Sequence, residues 1–365
     1  MKFSNKTTVF QDMVGKAVRG ASCNKLIPLT SFMLIELKKN QLRLITTDAS
    51  NYLYIIHDGV EGDDFSVVVY AEQFAKLISK ITSENVSLEL GDKVLTVTAN
   101  GSYQIELPLD ENGELIAYPD PVSVKGKASA SIKLATIKSI LATNKASLAP
   151  TTDNPAYTGY YVADKVVTTD GDYMVCCLNT EVFKTPTLIS SDMMNLLDIM
   201  SEDTISVYES GDILQFVTKD CIVYGHKMDC IEDYAIDTIN DLIEEKFKCS
   251  CKLNKSAMLS LLDRIALFVG AYDDNLITLT FTKNGLDVSS KLSNGVETIN
   301  YVDDKSKDKK FKEFTCNVDI MILMSQIKAS SSDTLEVEFG NDKSIKLVND
   351  NIIQIIALLD DSAEE

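Results

Sequence analysis

The sequence predicts an α+β protein built from three similar domains. One supersecondary pattern is written three times at intervals of roughly 120 residues, and a period that long means successive domains rather than the short units of a solenoid. A chain of 365 residues suits two or three domains, each long enough to bury a core. The composition, 45% hydrophobic without a biased tract, is ordinary for globular protein.

Each unit opens on a helical stretch, Thr8 to Arg19, Leu134 to Lys145 and Lys255 to Phe268. An alternating strand running into a small polar turn follows. Residues 40–48, ending Ile45-Thr46-Thr47-Asp48, return 122 positions later as Lys165 to Asp170, and more weakly as Gly285 to Lys291. A second amphipathic segment comes next, Ala71 to Ile81, Ser191 to Met200 and Val318 to Ile327. Two short strands around a Gly-containing turn close each unit, at Gly91-Asp92, Gly211-Asp212 and Gly340-Asn341. The expected domains are 1–122, 123–245 and 246–365. Their linkers are the Pro-rich Ala117 to Pro121, continuing through Ser123 to Ala130, and a second near Glu244-Glu245-Lys246. The charged stretch Asp303 to Lys312 is expected as a solvent-exposed loop within the third unit.

Several function classes lack raw material. No apolar run approaches the roughly 18 residues of a membrane span, and Met1 to Asn5 starts no signal peptide, so a soluble, cytoplasmic protein is expected. Eight cysteines are scattered or too tightly spaced for a zinc knuckle, which reads as reduced packed thiols. With two histidines, no P-loop, no dinucleotide fingerprint and no nucleophile elbow, neither an enzyme nor a cofactor is expected.

The net charge of −19 is uneven, with 11 basic and 16 acidic residues in the first unit, 9 and 19 in the second, and 15 and 19 in the third. Such acidity argues against nucleic acid unless local placement overrules it. On Ala71 to Ile81 the apolar Phe74, Leu77, Ile78 and Ile81 form one stripe, with Lys76 and Lys80 opposite. In the opening helix Arg19 lies opposite Val9, Phe10, Met13 and Ala17, with Lys16 at the flank. Lys138 and Lys145 share one side of the third stretch. A solvated lysine face explains any one helix; recurrence at equivalent positions favours a shared cationic surface.

Met1-Lys2-Phe3, Leu26-Ile27-Pro28-Leu29, Thr47-Asp48, Thr169-Asp170-Gly171 before Tyr173-Met174, and Asp229 before Asp233-Tyr234 resemble the markers of the bacterial DNA sliding clamp, the beta subunit of DNA polymerase III. The resemblance covers the whole chain in length, organisation and acidity. It implies domains of two helices on two antiparallel sheets, closed as a head-to-tail homodimer into a six-domain ring around double-stranded DNA, without sequence specificity. Implied partners are a replicative DNA polymerase and a clamp loader, held through a pocket between the second and third domains that takes a short motif of glutamine and bulky apolar residues. Carried over by position, the pocket would comprise Tyr157, Thr169, Gly171, Asp172, Tyr173, Met174, Glu232, Ile236, Asp237, Ile355 and Ala357.

The same resemblance makes Lys16, Arg19, Lys25, Lys76, Lys80, Lys138 and Lys145 the candidates facing DNA, with Lys255, Arg264 and Lys328 fainter. Leu267 and Phe268 become candidates for the dimer interface, against ordinary core packing. Asp172 and Tyr173 stand where the family has a basic pair, Glu232 where it has proline, and Ala357 where it has a bulky residue. Carboxylates would then rim the pocket and favour a more cationic client. The rival reading is a three-domain structural or adaptor protein that never encircles DNA.

Overall fold

The computed structural model describes residues 2–119, 124, 126–151, 153–270, 275–290, 294–302 and 313–360. The expected loop at 303–312 lies outside them.

One order of elements recurs three times. The first pass runs β1 (Lys2–Lys6), α1 (Thr7–Ala17), β2 (Phe32–Lys38), β3 (Gln41–Thr47), β4 (Asn51–Asp58), β5 (Phe65–Tyr70), α2 (Ala71–Ser79), β6 (Asn85–Leu90), β7 (Val94–Thr98) and β8 (Ser102–Glu106). The second runs β9 (Ala130–Lys133), α3 (Leu134–Asn144), β10 (Gly159–Val162), β11 (Val166–Thr169), β12 (Met174–Leu178), β13 (Thr187–Ser190), α4 (Ser191–Leu197), β14 (Thr204–Ser210), β15 (Ile213–Val217) and β16 (Cys221–His226). A further helix, α5 (Ile236–Glu244), which the sequence reading did not anticipate, runs up to the expected second linker. The third pass is β17 (Cys249–Asn254), α6 (Lys255–Ile265), β18 (Leu276–Phe281), β19 (Leu286–Ser290), β20 (Val296–Ile299), β21 (Phe314–Asp319), α7 (Ile320–Ala329), β22 (Thr334–Phe339), β23 (Ser344–Asn349) and β24 (Ile352–Ala357).

Local chemistry explains the clearest starts. Asn254 accepts from the N–H of Ala257 (2.8 Å) to cap α6, and Asp319 accepts from Met321 (2.6 Å) and Ile322 (3.0 Å) to cap α7. The strands are half-buried and alternate, as in β22, where Leu335, Val337 and Phe339 are buried between partly exposed neighbours.

Compactness divides the chain differently from element order. One unit comprises Met1–Ile137 with Asp192–Lys227, the other Lys138–Ser191 with Met228–Glu365. The first holds an eight-stranded antiparallel sheet, β5-β2-β3-β4-β16-β15-β14-β9, and a four-stranded one, β1-β6-β7-β8. The second holds β13-β10-β11-β12-β24-β23-β22-β17 and β20-β19-β18-β21. The strands of the middle pass are therefore shared, with β9 and β14 to β16 in one sheet and β10 to β13 in the other.

Both eight-stranded sheets are joined by one rule. The third strand of a four-strand run pairs with the last strand of the next pass, β4 with β16 and β12 with β24. On the helix side of the second sheet, Leu262, Ile265, Leu323, Ile327, Leu347 and Ile356 share one core. On its other side, Tyr161, Val167, Val175, Tyr234, Ile239 and Ile355 form a second. At roughly 1.5–3 kcal/mol per buried large apolar side chain, these two layers fix the sheet between them.

Candidate functional site

The turn Thr169-Asp170-Gly171, which ends β11, is held by its own side chains. Thr169 Oγ1 donates to the carbonyl of Met174 (2.7 Å) and accepts from the N–H of Gly171 (3.0 Å). One oxygen of Asp170 accepts from the N–H groups of Asp172 (3.2 Å), Tyr173 (2.9 Å) and Met174 (2.8 Å). Gly171 adopts φ 96°, and a Cβ there would stand 2.8 Å from the Tyr157 ring, so conformation and space both require glycine.

This turn borders a cavity of about 260 Å³ lined by Tyr157, Thr169, Gly171, Asp172, Tyr173, Met174 and Val175. Ala235, Thr238, Ile239 and Leu242 wall its second side, and Lys343, Ser344, Ile355 and Ala357 close the third. Tyr234 anchors the wall from below. Its ring packs on Tyr157 (5.4 Å) and Tyr161 (5.3 Å), and its hydroxyl donates to the carbonyl of Val167 (3.0 Å). Burial pushes that phenol far above its ordinary pKa, so it stays a neutral donor. It also pushes the Cys177 thiol beneath to about 11, leaving a packed, unreactive group.

Two lysines hold α5 against the sheet. Lys165 Nζ donates to Asn240 Oδ1 (2.5 Å). Lys346, only 4% exposed, donates to the carbonyls of Ile243 (2.9 Å) and Glu245 (2.6 Å) and lies 4.9 Å from the Phe247 ring centroid. A cation on the last carbonyls of a helix satisfies orphan acceptors and opposes the helix dipole.

Eight of the eleven positions carried over from sequence thus meet around one cavity. Glu232, Ile236 and Asp237 do not. Glu232 is exposed in the 3-10 turn before α5, and Asp237 is exposed on the helix itself. Ile236 packs against the core beside Tyr234. The cavity-facing positions are 235, 238, 239 and 242, the i, i+3, i+4, i+7 stripe of a helix, so 236 and 237 turn away. The expected carboxylate rim narrows to Asp172, countered by Lys343. Sequence reading missed Lys343, Lys346 and all of the α5 wall.

The candidate cations on the helices are exposed or partly so, but several carry partners. Lys16 pairs with Asp12 (2.8 Å) and Lys76 with Glu72 (2.9 Å). Arg19 donates to the carbonyl of Asn195 (3.0 Å) and stands 3.9 Å from Asp198. Lys25, Lys80, Lys138 and Lys145 are exposed. In the third pass Lys255 donates to the carbonyls of Lys328 and Ser330, and Arg264 forks onto Glu297 (2.8 and 2.6 Å). Leu267 and Phe268 are 81% and 51% exposed in the 3-10 turn after α6, not core residues. Among the described residues no cluster of three or more metal-ligating side chains occurs, and no helix is long and apolar enough to cross a membrane.

Residues 1–118 match the family model of the DNA polymerase III beta subunit, N-terminal domain. Over the full length, the beta subunit from the DNA polymerase of Streptococcus pyogenes matches with TM-score 0.83 at 17% identity, covering 98% of this chain and 100% of that one. The chain has the bacterial sliding-clamp fold, and its first 118 residues match that family's N-terminal domain. The sliding clamp of Bacillus subtilis matches at TM-score 0.82 and 15% identity, with 99% of each chain covered. The beta subunit of Thermotoga maritima matches at 0.83 and 15%, covering 98% of this chain and 99% of that one. No curated protein matches by sequence.

Proposed function

We propose that the protein is a DNA sliding clamp: two copies close into a ring around duplex DNA and tether a polymerase, and other clients, through the cavity beside α5. The observation that carries this reading is the pairing rule of the two eight-stranded sheets. Applied a third time, it leaves β20, third in its run, and β8, last of its pass, without the partners their counterparts have. Neither lies inside its own sheet: the four-stranded orders end on them. Unpaired edges invite another chain, and a heterologous contact that closes makes a ring.

The register of this third junction follows from the other two. Tyr52 faces Tyr224 and Val175 faces Ile355; counted from the strand residue that precedes the second helix of each pass, the equivalent positions are Asn294 and Gln104. Val296 of one copy should therefore face Ser102 of the other, with Gly295 opposite Tyr103. Val296 is 60% and Tyr103 37% exposed. Phe268, whose ring lies against Gly295, stands beside the start of β20 as a further apolar contact.

Lys16, Arg19, Lys25, Lys76, Lys80, Lys138 and Lys145 serve as a sparse, sequence-blind attraction for phosphates. Partial pairing with Asp12, Glu72 and Asp198 keeps that attraction shallow, which suits sliding, because each neutralised phosphate adds affinity and salt dependence. The cavity takes bulky apolar side chains of a client peptide against Val175, Ile239, Leu242 and Ile355, while Asp172 and Lys343 orient its polar groups. An adaptor that never encircles DNA would lack the topological link.

Retention on closed circular and linear DNA of equal length separates the two. A clamp assembled on the circle co-elutes with it and is lost when the circle is cut; equal retention on both forms rules the clamp reading out. For the cavity, Met174→Asp should abolish binding of a labelled peptide carrying glutamine, leucine and phenylalanine. Unchanged affinity would remove the assignment.

A further inference from the structure

Gln326 lies in α7, a helix of sequence Ile-Met-Ile-Leu-Met-Ser-Gln-Ile-Lys-Ala, and is fully buried. Its neighbours on the buried face, Leu323, Met324 and Ile327, are apolar. A leucine or methionine would fill that place without the desolvation cost that a buried amide carries when it loses its partners. The amide is not idle. Its Oε1 accepts from Ser147 Oγ (3.1 Å), in the 3-10 turn after α3, and from Gln354 Nε2 (3.0 Å), on β24. Gln354 Nε2 also donates to the Gln326 carbonyl (2.9 Å). The remaining donor, Gln326 Nε2, points at Met174 Sδ (3.2 Å).

Met174 is the one partner of this amide that borders the cavity. Its register places it opposite Ile356, a member of the helix-side core, whereas Val175 and Ile355 belong to the core on the cavity side. The side chain therefore sits at the end of β12 where the two sides of the sheet meet. A methionine there has three rotatable bonds and a soft sulfur that settles into many shapes. The amide selects among them.

We propose that Gln326 is a positioning residue for the client cavity: through its N–H on the Met174 thioether it fixes the cavity's floor and ties it to α7 and to the turn after α3. This rests on the cavity being the client site, and it adds a residue that touches no client. Ser147 and Gln354 hold the amide so that its free donor faces the sulfur, the arrangement by which a supporting shell locks a binding group. The apolar side chain that the cavity accepts is thereby matched to one methionine rotamer.

The test is a double-mutant cycle on the full chain, with Gln326→Leu, Met174→Leu and both together. It is read by titration of a synthetic peptide containing glutamine, leucine and phenylalanine, and by the methyl NMR signal of Met174 without peptide. Gln326→Leu should weaken the peptide at least about threefold in the native background and have no effect in the Met174→Leu background, a coupling within the range for side chains in contact. It should also shift the Met174 methyl signal.

An equal loss of affinity in both backgrounds would overturn the proposal, because it marks a merely structural role. An unmoved methyl signal would overturn it too. If the native chain takes up no peptide, the client reading fails while the methyl signal still decides whether Gln326 holds Met174. Should Gln326→Leu not fold, Ser147→Ala releases Oε1 instead and should move the same methyl signal; no movement there counts against the proposal.

Discussion

Two junctions in this molecule are built alike and used differently. At β4–β16 the row facing away from the helices holds Tyr52 and Tyr224, with ring centroids 6.1 Å apart, and Tyr224 stacks edge-on against His226 at 6.3 Å. At β12–β24 the same positions are Val175, Ile355 and Ala357. Opposite Met174 stands Ile356, whereas at the first junction Asn51 stands opposite Gly225, donates to Asp48 Oδ2 (2.9 Å), and leaves no room for a Cβ on that glycine. The linkers differ as well. Residues 107–118 form no helix and lay Ile116 and Tyr118 on Leu34 and Val68, while the stretch leading to the second linker folds into α5. The second junction combines smaller residues in the row with a helix for a wall and the first has neither; the cavity of about 280 Å³ in the first unit lies instead between β2, β5 and residues 108–118.

The strongest way to break this comparison is to rewrite the second row as the first. Val175→Tyr with Ile355→Tyr should fill the cavity and cost at least about a hundredfold in peptide affinity, ~2.7 kcal/mol, with a melting temperature near that of the native chain, since the first junction already carries two tyrosines. The reverse pair, Tyr52→Val with Tyr224→Ile, should create no peptide binding, because no helix walls that side. Isothermal titration reads both, and binding by the reverse pair would show that α5 is dispensable.

A smaller effect isolates the wall. Lys346→Met keeps the volume but orphans the carbonyls of Ile243 and Glu245, costing about 1–3 kcal/mol of stability. If α5 then loosens, peptide affinity falls with it, and hydrogen exchange of α5 amides quickens before that of β24. Protection that is unchanged in α5 would mean the helix is held by its apolar face alone.

The smallest pair compares the turns. Gly171 at φ 96° and Ala49 at φ 86° occupy equivalent places. Gly171→Ala should destabilise by ~1–3 kcal/mol through strain and the Tyr157 contact. Ala49→Gly should stabilise by about 0.5 kcal/mol or less, because relief of a positive φ outweighs the extra freedom of the unfolded chain only narrowly. Urea melts of the two variants check the opposite signs.

Much of the fold was legible because it is local. The apolar stripes of α1 and α2, and the repeated Thr-Asp turn after β3 and β11, are periodic features that a sequence displays openly. The sharing of the middle pass between two sheets was not legible, since it depends on β4 meeting β16 and β12 meeting β24 across long separations. Helix α5 was missed because Ile236, Ile239, Leu242 and Ile243 lie among acids, in a short stretch just before the expected linker. Glu232, Ile236 and Asp237 came with the clamp resemblance, and the helix turns them away from the cavity. Lys346 and Gln326 look ordinary in sequence, one a lysine in an alternating strand, the other a polar residue in a helix; only their burial and partners give them a role. The eight cavity residues that were anticipated came from the clamp resemblance, not from any pattern in the residues themselves.

Two of the three junctions that the repeat defines are made within one chain, and the proposed ring makes the third between chains. Native mass spectrometry at micromolar concentration measures this directly. The account predicts a species of twice 40.3 kDa that dissociates when Val296→Asp places a carboxylate on the β20 edge; a native chain that stays at 40.3 kDa under those conditions would contradict it.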